Sequence, residues 1–230
     1  MSCFEQAFIK KGLQSEWDQV IAVVVQPGVE FEDAQIHEYN RSEALPLTSA
    51  MVDFPNLVFE GHSTDYQTVK CLKAMVEDGI AILKVGPAMI FALREMLFAL
   101  ALIESEVMPI YGKEVSGFRD SLEKAMSEHP ENWMHHYHGS DEEVNLAKHY
   151  SFSDRVRYYF ATETVEKSIE TLLSNLSNVS MPLTLLSQYV PVQYQKIRKG
   201  TLKNDAYEIL IDGIITELDH YYFATYPSLD

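Results

Sequence analysis

Four polar side chains stand where short apolar runs of the sequence end, and their types could perform acid–base chemistry. They are Gln26, Glu60, His62 and Lys84. Side chains alternate between the two faces of a strand, so in each run an apolar residue near the start shares a face with the polar side chains at the carboxyl end. A carboxylate, an imidazole, an ammonium and an amide at one sheet edge would suit proton transfer on a polar substrate. The alternative is structural, with Glu60 and Lys84 paired as charges that fill this end of the sheet.

The apolar runs predict the strands that would position these side chains. They cover Val20–Val25, Leu57–Phe59 and Gly79–Val85, and none alternates cleanly with polar residues. Such runs are typical of parallel strands buried on both faces. Helical patterns separate or follow them at Ser42–Met51, Tyr66–Asp78 and Ala88–Val107. Alternating strands and helices predict an α/β protein whose strands are parallel and adjacent in chain order.

From about residue 112 the pattern becomes helical, with no further strand. The amphipathic segments are Asp120–Glu128, Glu163–Leu176, Pro182–Lys199 and Ala206–Tyr222. Glycines and prolines separate them. We therefore predict two parts, a βα part over residues 1–111 and a helical C-terminal part over residues 112–230.

The turn after the third strand has features of a phosphate site. Lys84 is followed by Gly86, which would let a ligand approach the backbone, and by Pro87, which fits the first position of a helix. Free N–H groups at a helix start favour anions. An ordinary strand-to-helix turn would have the same sequence.

Two further segments contribute candidates. Thr64 has capping-box spacing with Gln67, and Asp65 beside it could cap the helix or face the strand ends. Arg155 and Arg157 lie among aromatic residues, where they could meet a phosphate or pair with carboxylates. The predicted substrate or phosphate ligands are Gln26, Asp65, Lys84, Gly86 and Arg155.

Metal binding has weak support in the sequence. His129, His135, His136 and His138 match no standard zinc motif, and we interpret them as part of a partly exposed aromatic surface. His62 is the one candidate metal ligand, and we predict no resident cofactor.

Composition excludes several classes of partner. A net charge of −16 argues against nucleic acid and anionic membrane surfaces as partners. Neither GxxxxGK[ST] nor GxGxxG occurs, so no nucleotide motif supports a kinase. Cys3 and Cys71 form no CxxC, and no signal-peptide pattern is visible, so we expect reduced thiols and a cytoplasmic protein.

Six ordered strings carry a resemblance to a known family. They are VVQPGVEF (24–31), HSTDYQT (62–68), ILKVGPA (82–88), FALRE (91–95), SDRVRYY (153–159) and SQYVP (187–191). Together they resemble the non-catalytic, zeta-type subunit family of class II D-tagatose-1,6-bisphosphate aldolase. Gly61 departs from the family pattern, where Ala is expected.

The resemblance implies a TIM (β/α)8 barrel with extra C-terminal helices. It also implies a role in tagatose 6-phosphate degradation, within galactitol or amino-sugar catabolism. Such a subunit is inactive alone, and it supports the activity and stability of a separate catalytic aldolase subunit. The catalytic subunit holds the zinc. Family chains are close to twice as long, so the three strands would be the last three of the barrel, in a truncated chain.

Several functions stay open on the sequence alone. The chain could be the accessory subunit, with a complementary N-terminal half-barrel chain as a further partner. It could instead be a metal-dependent sugar-phosphate aldolase or epimerase using Glu60, His62 and Lys84. A third reading is a truncated, inactive remnant.

Overall fold

The computed structural model describes residues 2–226, and within them three parallel strands form the main sheet. These are β1 (Ala22–Val25), β4 (Val58–Gly61) and β5 (Ile80–Leu83), in the spatial order β1-β4-β5. Both pairings are parallel, which confirms the predicted α/β class and the predicted strand order. Two short strands, β2 (Glu30–Phe31) and β3 (Ile36–His37), form a separate two-stranded sheet that the sequence pattern did not predict.

Helices make up most of the chain. They are α1 (Ser2–Lys10), α2 (Gln14–Trp17), α3 (Arg41–Ser49), α4 (Val69–Glu77), α5 (Pro87–Val107), α6 (Phe118–Glu128), α7 (Asp141–Tyr150), α8 (Glu163–Ser177), α9 (Leu183–Tyr189), α10 (Pro191–Arg198) and α11 (Ala206–Thr225). Short 3-10 turns lie at Ala50–Asp53, Met108–Tyr111, Pro130–Asn132 and Val156–Tyr158. None of the helices within residues 2–226 is long and apolar enough to cross a membrane.

By its internal contacts the chain divides into two units. Among the described residues, we call them the sheet unit (residues 2–30, 36–85 and 221–226) and the helical unit (residues 31–35 and 86–220). The long helix α5 belongs to the helical unit. The predicted division into residues 1–111 and 112–230 separates a barrel part from an extension, and it stays a prediction.

The helical unit contains a continuous apolar core. Helix α5 buries Leu97, Leu100 and Ile103 completely, and they cluster with buried residues of α6, α8 and α9. Its apolar residues face in many directions because helices surround it, and Arg94 in its interior is also buried. Burial among neighbouring helices therefore accounts for the high apolar content of α5.

In the sheet unit, the amphipathic helix α4 packs its apolar side against β5. Leu72 and Met75 of α4 are fully buried, as is Ile80 of β5. Helix α4 begins after Thr68, whose side-chain hydroxyl accepts a hydrogen bond from the Cys71 amide at 3.2 Å. This cap accepts a hydrogen bond from one of the first-turn N–H groups, which have no partner within the helix.

Three local predictions were wrong. The segment 182–199 is two helices, because Val190 adopts φ −136° and ψ 61° before Pro191, outside the helical region. Helix α7 was missed, although Ser140 and Glu143 form a complete capping box before it. Burial of the strands on both faces was also wrong, since Val24 is 57% exposed and Ile82 is 36% exposed.

Candidate functional site

The strand register aligns the candidate residues at one end of the sheet. Val24 pairs with Glu60, and Glu60 pairs with Ile82, so these three share one face. Beyond them the His62 amide donates to the Val25 carbonyl at 2.9 Å, and the Lys84 amide donates to the Gly61 carbonyl at 3.1 Å.

Gln26, His62 and Lys84 therefore follow the aligned residues by two positions at the carboxyl ends of the strands. All three are exposed, and Glu60 is half-buried. This placement agrees with the period-two interpretation of the sequence, and we call the four residues the strand-end cluster. Their roles in chemistry stay predictions.

The face that carries the strand-end cluster is open, whereas the other face is covered. Phe59 and Ile80, which are paired in the register, are 6% and 0% exposed on the covered face. The register slips between Phe59 and Glu60, so Ala81 is an extra residue in β5. This bulge places Ile82, rather than Ala81, beside Glu60.

Local hydrogen bonds hold the side chains near β1. The Gln26 amide nitrogen donates to a Glu30 carboxylate oxygen at 2.7 Å, and the Ser63 hydroxyl approaches the same oxygen at 3.5 Å. Among the described residues, no ion pair joins Glu60 to Lys84. The structural alternative of a Glu60–Lys84 pair is therefore wrong for this conformation.

Thr64 does not cap a helix, contrary to the prediction. Its side chain is fully buried, and its hydroxyl donates to the Lys84 carbonyl at 2.7 Å. The Thr64 carbonyl accepts a hydrogen bond from the Tyr221 hydroxyl at 3.0 Å. Thr64 thus connects the segment after β4 to the end of β5, and the cap of α4 is Thr68 instead.

Asp65 lies beside Thr64 and is 3% exposed. A carboxylate so buried needs polar partners to offset the loss of hydration. Gln67 is also buried; it accepts from the Tyr39 amide at 2.9 Å and donates to the His37 carbonyl at 3.0 Å. The segment after β4 is therefore rigidly hydrogen-bonded, and the proposed ligand role of Asp65 stays a prediction.

The predicted start of α5 is confirmed. Gly86 is the residue before the helix, and Pro87 occupies its first turn. A Cβ added to Gly86 would meet no atom within 4 Å, so local packing does not require glycine there. Lys84 belongs to the sheet unit and Gly86 to the helical unit, and phosphate binding by either residue stays a prediction.

Arg155 lies in the helical unit, in a segment held by Tyr137. The Arg155 amide donates to the Tyr137 hydroxyl at 3.1 Å, and that hydroxyl donates to the Ser153 carbonyl at 3.0 Å. Burial raises the pKa of Tyr137 to about 12. The Arg155 guanidinium donates to Nδ1 of His136 at 3.0 Å.

The four histidines are exposed, whereas Tyr137 is buried and Trp133 is partly buried against the core, which agrees with the interpretation of a partly exposed aromatic surface. Desolvation and the nearby Arg155 charge lower the pKa of His136. Within residues 2–226 no group of three or more His, Cys, Asp or Glu side chains is arranged to hold a metal ion. The suggested metal role of His62 stays a prediction.

A family model for the D-tagatose-1,6-bisphosphate aldolase subunit GatZ/KbaZ-like family matches residues 1–226. The chain belongs to the GatZ/KbaZ-like family. Its structure is also similar to the crystal structure of a probable tagatose 6 phosphate kinase from Sinorhizobium meliloti 1021, with a TM-score of 0.91 and 38% identity. That match covers 96% of this chain and 56% of the other, so this GatZ/KbaZ-like chain spans just over half the length of that protein.

Sequence reasoning missed two residues that shape the site. Gly61 has no room for a side chain, because an added Cβ would lie 2.9 Å from Cγ2 of Ile80 and 3.2 Å from Cγ2 of Thr64. The resemblance had drawn attention to this position, where Ala was expected, but it did not indicate the close contacts. Tyr221 of α11, which bonds to Thr64, is distant in sequence and no local pattern indicates it.

Proposed function

We propose that this chain is a non-catalytic accessory subunit of a class II D-tagatose-1,6-bisphosphate aldolase. In this proposal it supports the activity and stability of a separate, zinc-dependent catalytic subunit during carbohydrate catabolism. Membership of the aldolase-subunit family supports an aldolase-associated role in tagatose metabolism. The observation that carries the accessory role is the open face of the three-stranded sheet.

On the open face, the two outer strands carry apolar side chains on either side of the central strand. Val24 and Ile82 flank Glu60 there, and both are exposed to water. Burying aliphatic surface is favourable by roughly 25 cal/mol per Å². An exposed apolar sheet face therefore favours contact with another polypeptide.

The edges of the sheet are also free. Within the described residues β1 pairs only with β4, and β5 pairs only with β4, so each outer strand has one side without a strand partner. Unpaired strand edges favour the addition of further strands. Ile21, just before β1, is 69% exposed, and Phe4 and Ile9 of α1 are 66% and 51% exposed.

We propose that further parallel βα units cover this surface and complete a barrel, supplied by a complementary polypeptide. The greater length of the similar Sinorhizobium meliloti protein supports this proposal. The sheet fits it because parallel strands normally have both faces covered.

The experiment is an aldolase assay with D-tagatose 1,6-bisphosphate, in which the released glycerone phosphate is reduced by a coupled dehydrogenase. Three samples are compared: this chain, a catalytic class II subunit, and both together. We expect no turnover by this chain alone, even with added zinc. In the mixture we expect higher activity or a longer thermal half-life of the catalytic subunit.

The alternative functions give different results. Turnover by this chain alone that is lost on Glu60→Ala or His62→Ala would establish it as an enzyme and refute the accessory role. No effect of the chain on the catalytic subunit would leave an inactive remnant as the better account. The absence of both nucleotide-binding motifs from the sequence argues against kinase activity.

A separate experiment tests the open face. Val24→Asp and Ile82→Asp should reduce self-association of the isolated chain, measured by light scattering, because each places a charge on the apolar surface. Val52→Asp is the matched control, since Val52 is also in the sheet unit and is 83% exposed in a 3-10 turn. Equal effects of all three substitutions would indicate a general effect of charge and would contradict the proposed surface.

A further inference from the structure

Arg155 and Arg157 are two half-buried arginines that form no ion pair within the described residues of this acidic protein. The sequence has 34 acidic and 18 basic residues, so carboxylate partners are abundant. Among the ion pairs of residues 2–226, none includes either arginine. A guanidinium without a carboxylate is available for an external anion.

The carboxylate next to them in the sequence is already used. Asp154 is 2% exposed; one of its oxygens accepts from Arg94 Nε at 2.7 Å and the other accepts from the Val156 amide at 2.8 Å. Asp154 therefore fixes the backbone that carries the two arginines. Val156 and Tyr159 are buried and anchor the same 3-10 turn.

Both guanidinium groups lie beside the same aromatic ring, that of Tyr158. Their central carbons lie 5.9 Å (Arg155) and 4.9 Å (Arg157) from the centroid of the Tyr158 ring. Arg157 also donates to the Tyr158 hydroxyl at 3.0 Å, and this hydrogen bond is the main cause of a lowered pKa of Tyr158. The Tyr158 side chain is 45% exposed, so this face of the turn is open to solvent.

Polar groups on the same surface can add to anion binding. Nδ1 of His136 accepts a hydrogen bond from Arg155, so the proton of the neutral ring is on Nε2. Nε of Arg155 is buried and has no hydrogen-bond partner among the described residues. His136 thus positions the Arg155 guanidinium from one side, and an external anion can meet only its terminal N–H groups, because the buried Nε is out of reach.

We propose that Arg155, Arg157, Tyr158 and His136 form an anion site that binds the phosphate group of a small phosphate monoester. Each guanidinium group can donate two parallel hydrogen bonds to the oxygens of one phosphate, as it can to the oxygens of a carboxylate. The dianionic monoester is favoured over a carboxylate because it meets two guanidinium charges. Neither forms an ion pair among the described residues, and Arg157 acts on Asp154 only through its electrostatic field. This site lies wholly in the helical unit and does not depend on the proposed accessory role.

The experiment is titration calorimetry of the whole chain with D-glucose 6-phosphate, with inorganic phosphate and with D-glucose as the uncharged control. We expect binding of both phosphates with a dissociation constant on the order of 1 mM or tighter, and no binding of glucose. Arg155→Gln and Arg157→Gln should each weaken binding at least about tenfold, the effect of one lost hydrogen bond to a charged group.

Arg198 provides a matched control for these two arginines. Its guanidinium also lies by a tyrosine ring, 5.7 Å from the centroid of Tyr194, and donates to the Tyr194 hydroxyl at 2.8 Å. The sites differ because Arg198 has no second arginine and no histidine on the same ring in these contacts. Arg198→Gln should leave phosphate binding within about twofold, since a distant charge is screened by salt.

The outcomes separate a site from general attraction. Weakening by Arg155→Gln and Arg157→Gln, with Arg198→Gln unchanged, supports the proposal. Absence of phosphate binding by the unsubstituted chain, or equal weakening by all three substitutions, overturns it. If Arg155→Gln unfolds the chain by circular dichroism, Arg157→Gln decides alone, because the only hydrogen bond of its side chain among the described contacts is to Tyr158.

Discussion

The helical unit and the sheet unit differ in how they bury apolar side chains. In the helical unit, the buried residues from Leu97 to Leu210 form one cluster built from several helices. In the sheet unit one face of the sheet is covered, and α1 buries none of its residues. The helical unit thus has one continuous buried core, whereas the sheet has a single covered face. Exposed apolar side chains occur in both units, for example Ile110 and Ile211 in the helical unit.

From this difference we expect contact with another polypeptide to stabilise the sheet unit more than the helical unit. The core of the helical unit already has its apolar area removed from water. An open sheet face gains stability when another polypeptide covers it. The two tryptophans can report on the units separately, because Trp17 is in the sheet unit and Trp133 is in the helical unit.

The largest expected effect lies in the helical unit, at the buried pair of Arg94 and Asp154. Asp154→Ala leaves the buried Arg94 guanidinium without its carboxylate, and it should lower the free energy of unfolding by about 3–5 kcal/mol. The measurement is urea unfolding followed by Trp133 fluorescence in a Trp17→Phe background.

Glu208→Ala is the control for this prediction. Glu208 forms a 3.5 Å ion pair with Lys203 at the surface, and its loss should cost less than about 1 kcal/mol. A loss below about 1 kcal/mol for Asp154→Ala as well would show that the buried pair does not stabilise the helical unit.

Two isoleucines of β5 compare the covered and open faces of the sheet directly. Ile80→Ala removes a fully buried side chain and should cost about 2–5 kcal/mol, measured through Trp17 in a Trp133→Phe background. Ile82→Ala removes an exposed one, so we expect less than half that loss. Equal losses would mean that the face carrying Ile82 is buried in solution.

A smaller effect is expected at Gly61, on the covered face. Gly61→Ala places a methyl group 2.9 Å from Cγ2 of Ile80 and should lower the free energy of unfolding by about 1–3 kcal/mol. Ile80→Leu removes the methyl branch at Cβ, so the double variant should be more stable than the sum of the single losses predicts. Additive losses would show that the contact with Ile80 does not cause the destabilisation.

The sequence predicted the sheet well because the strand pattern is local. Alternation alone placed Glu60 on the same face as Val24 and Ile82, and the register confirms it. It could not predict which face lacks a cover, since an apolar run has the same composition whether one face is buried or both. The exposure of Val24 depends on which elements pack against it in the folded chain, and the local sequence pattern does not indicate this.

The wrong predictions near the site have a similar cause. Thr64 and Thr68 are both suited to capping, but only Thr68 directly precedes the apolar helical pattern that begins at Val69. The Thr64 hydroxyl instead bonds to a carbonyl twenty residues later, which only the folded chain brings close. The Pro191 break and the Ser140 capping box, in contrast, were readable from the sequence.

Amide hydrogen exchange of the isolated chain, followed by mass spectrometry of its peptides, tests the difference between the units most directly. The decisive strand is β4, whose backbone is hydrogen-bonded to strands on both sides. We predict that amides of β4 exchange through openings of lower free energy than amides of α5 around Leu100, because only the helical unit encloses its core. Equal protection of β4 and α5 would contradict the account, since the sheet unit would then be complete without a partner.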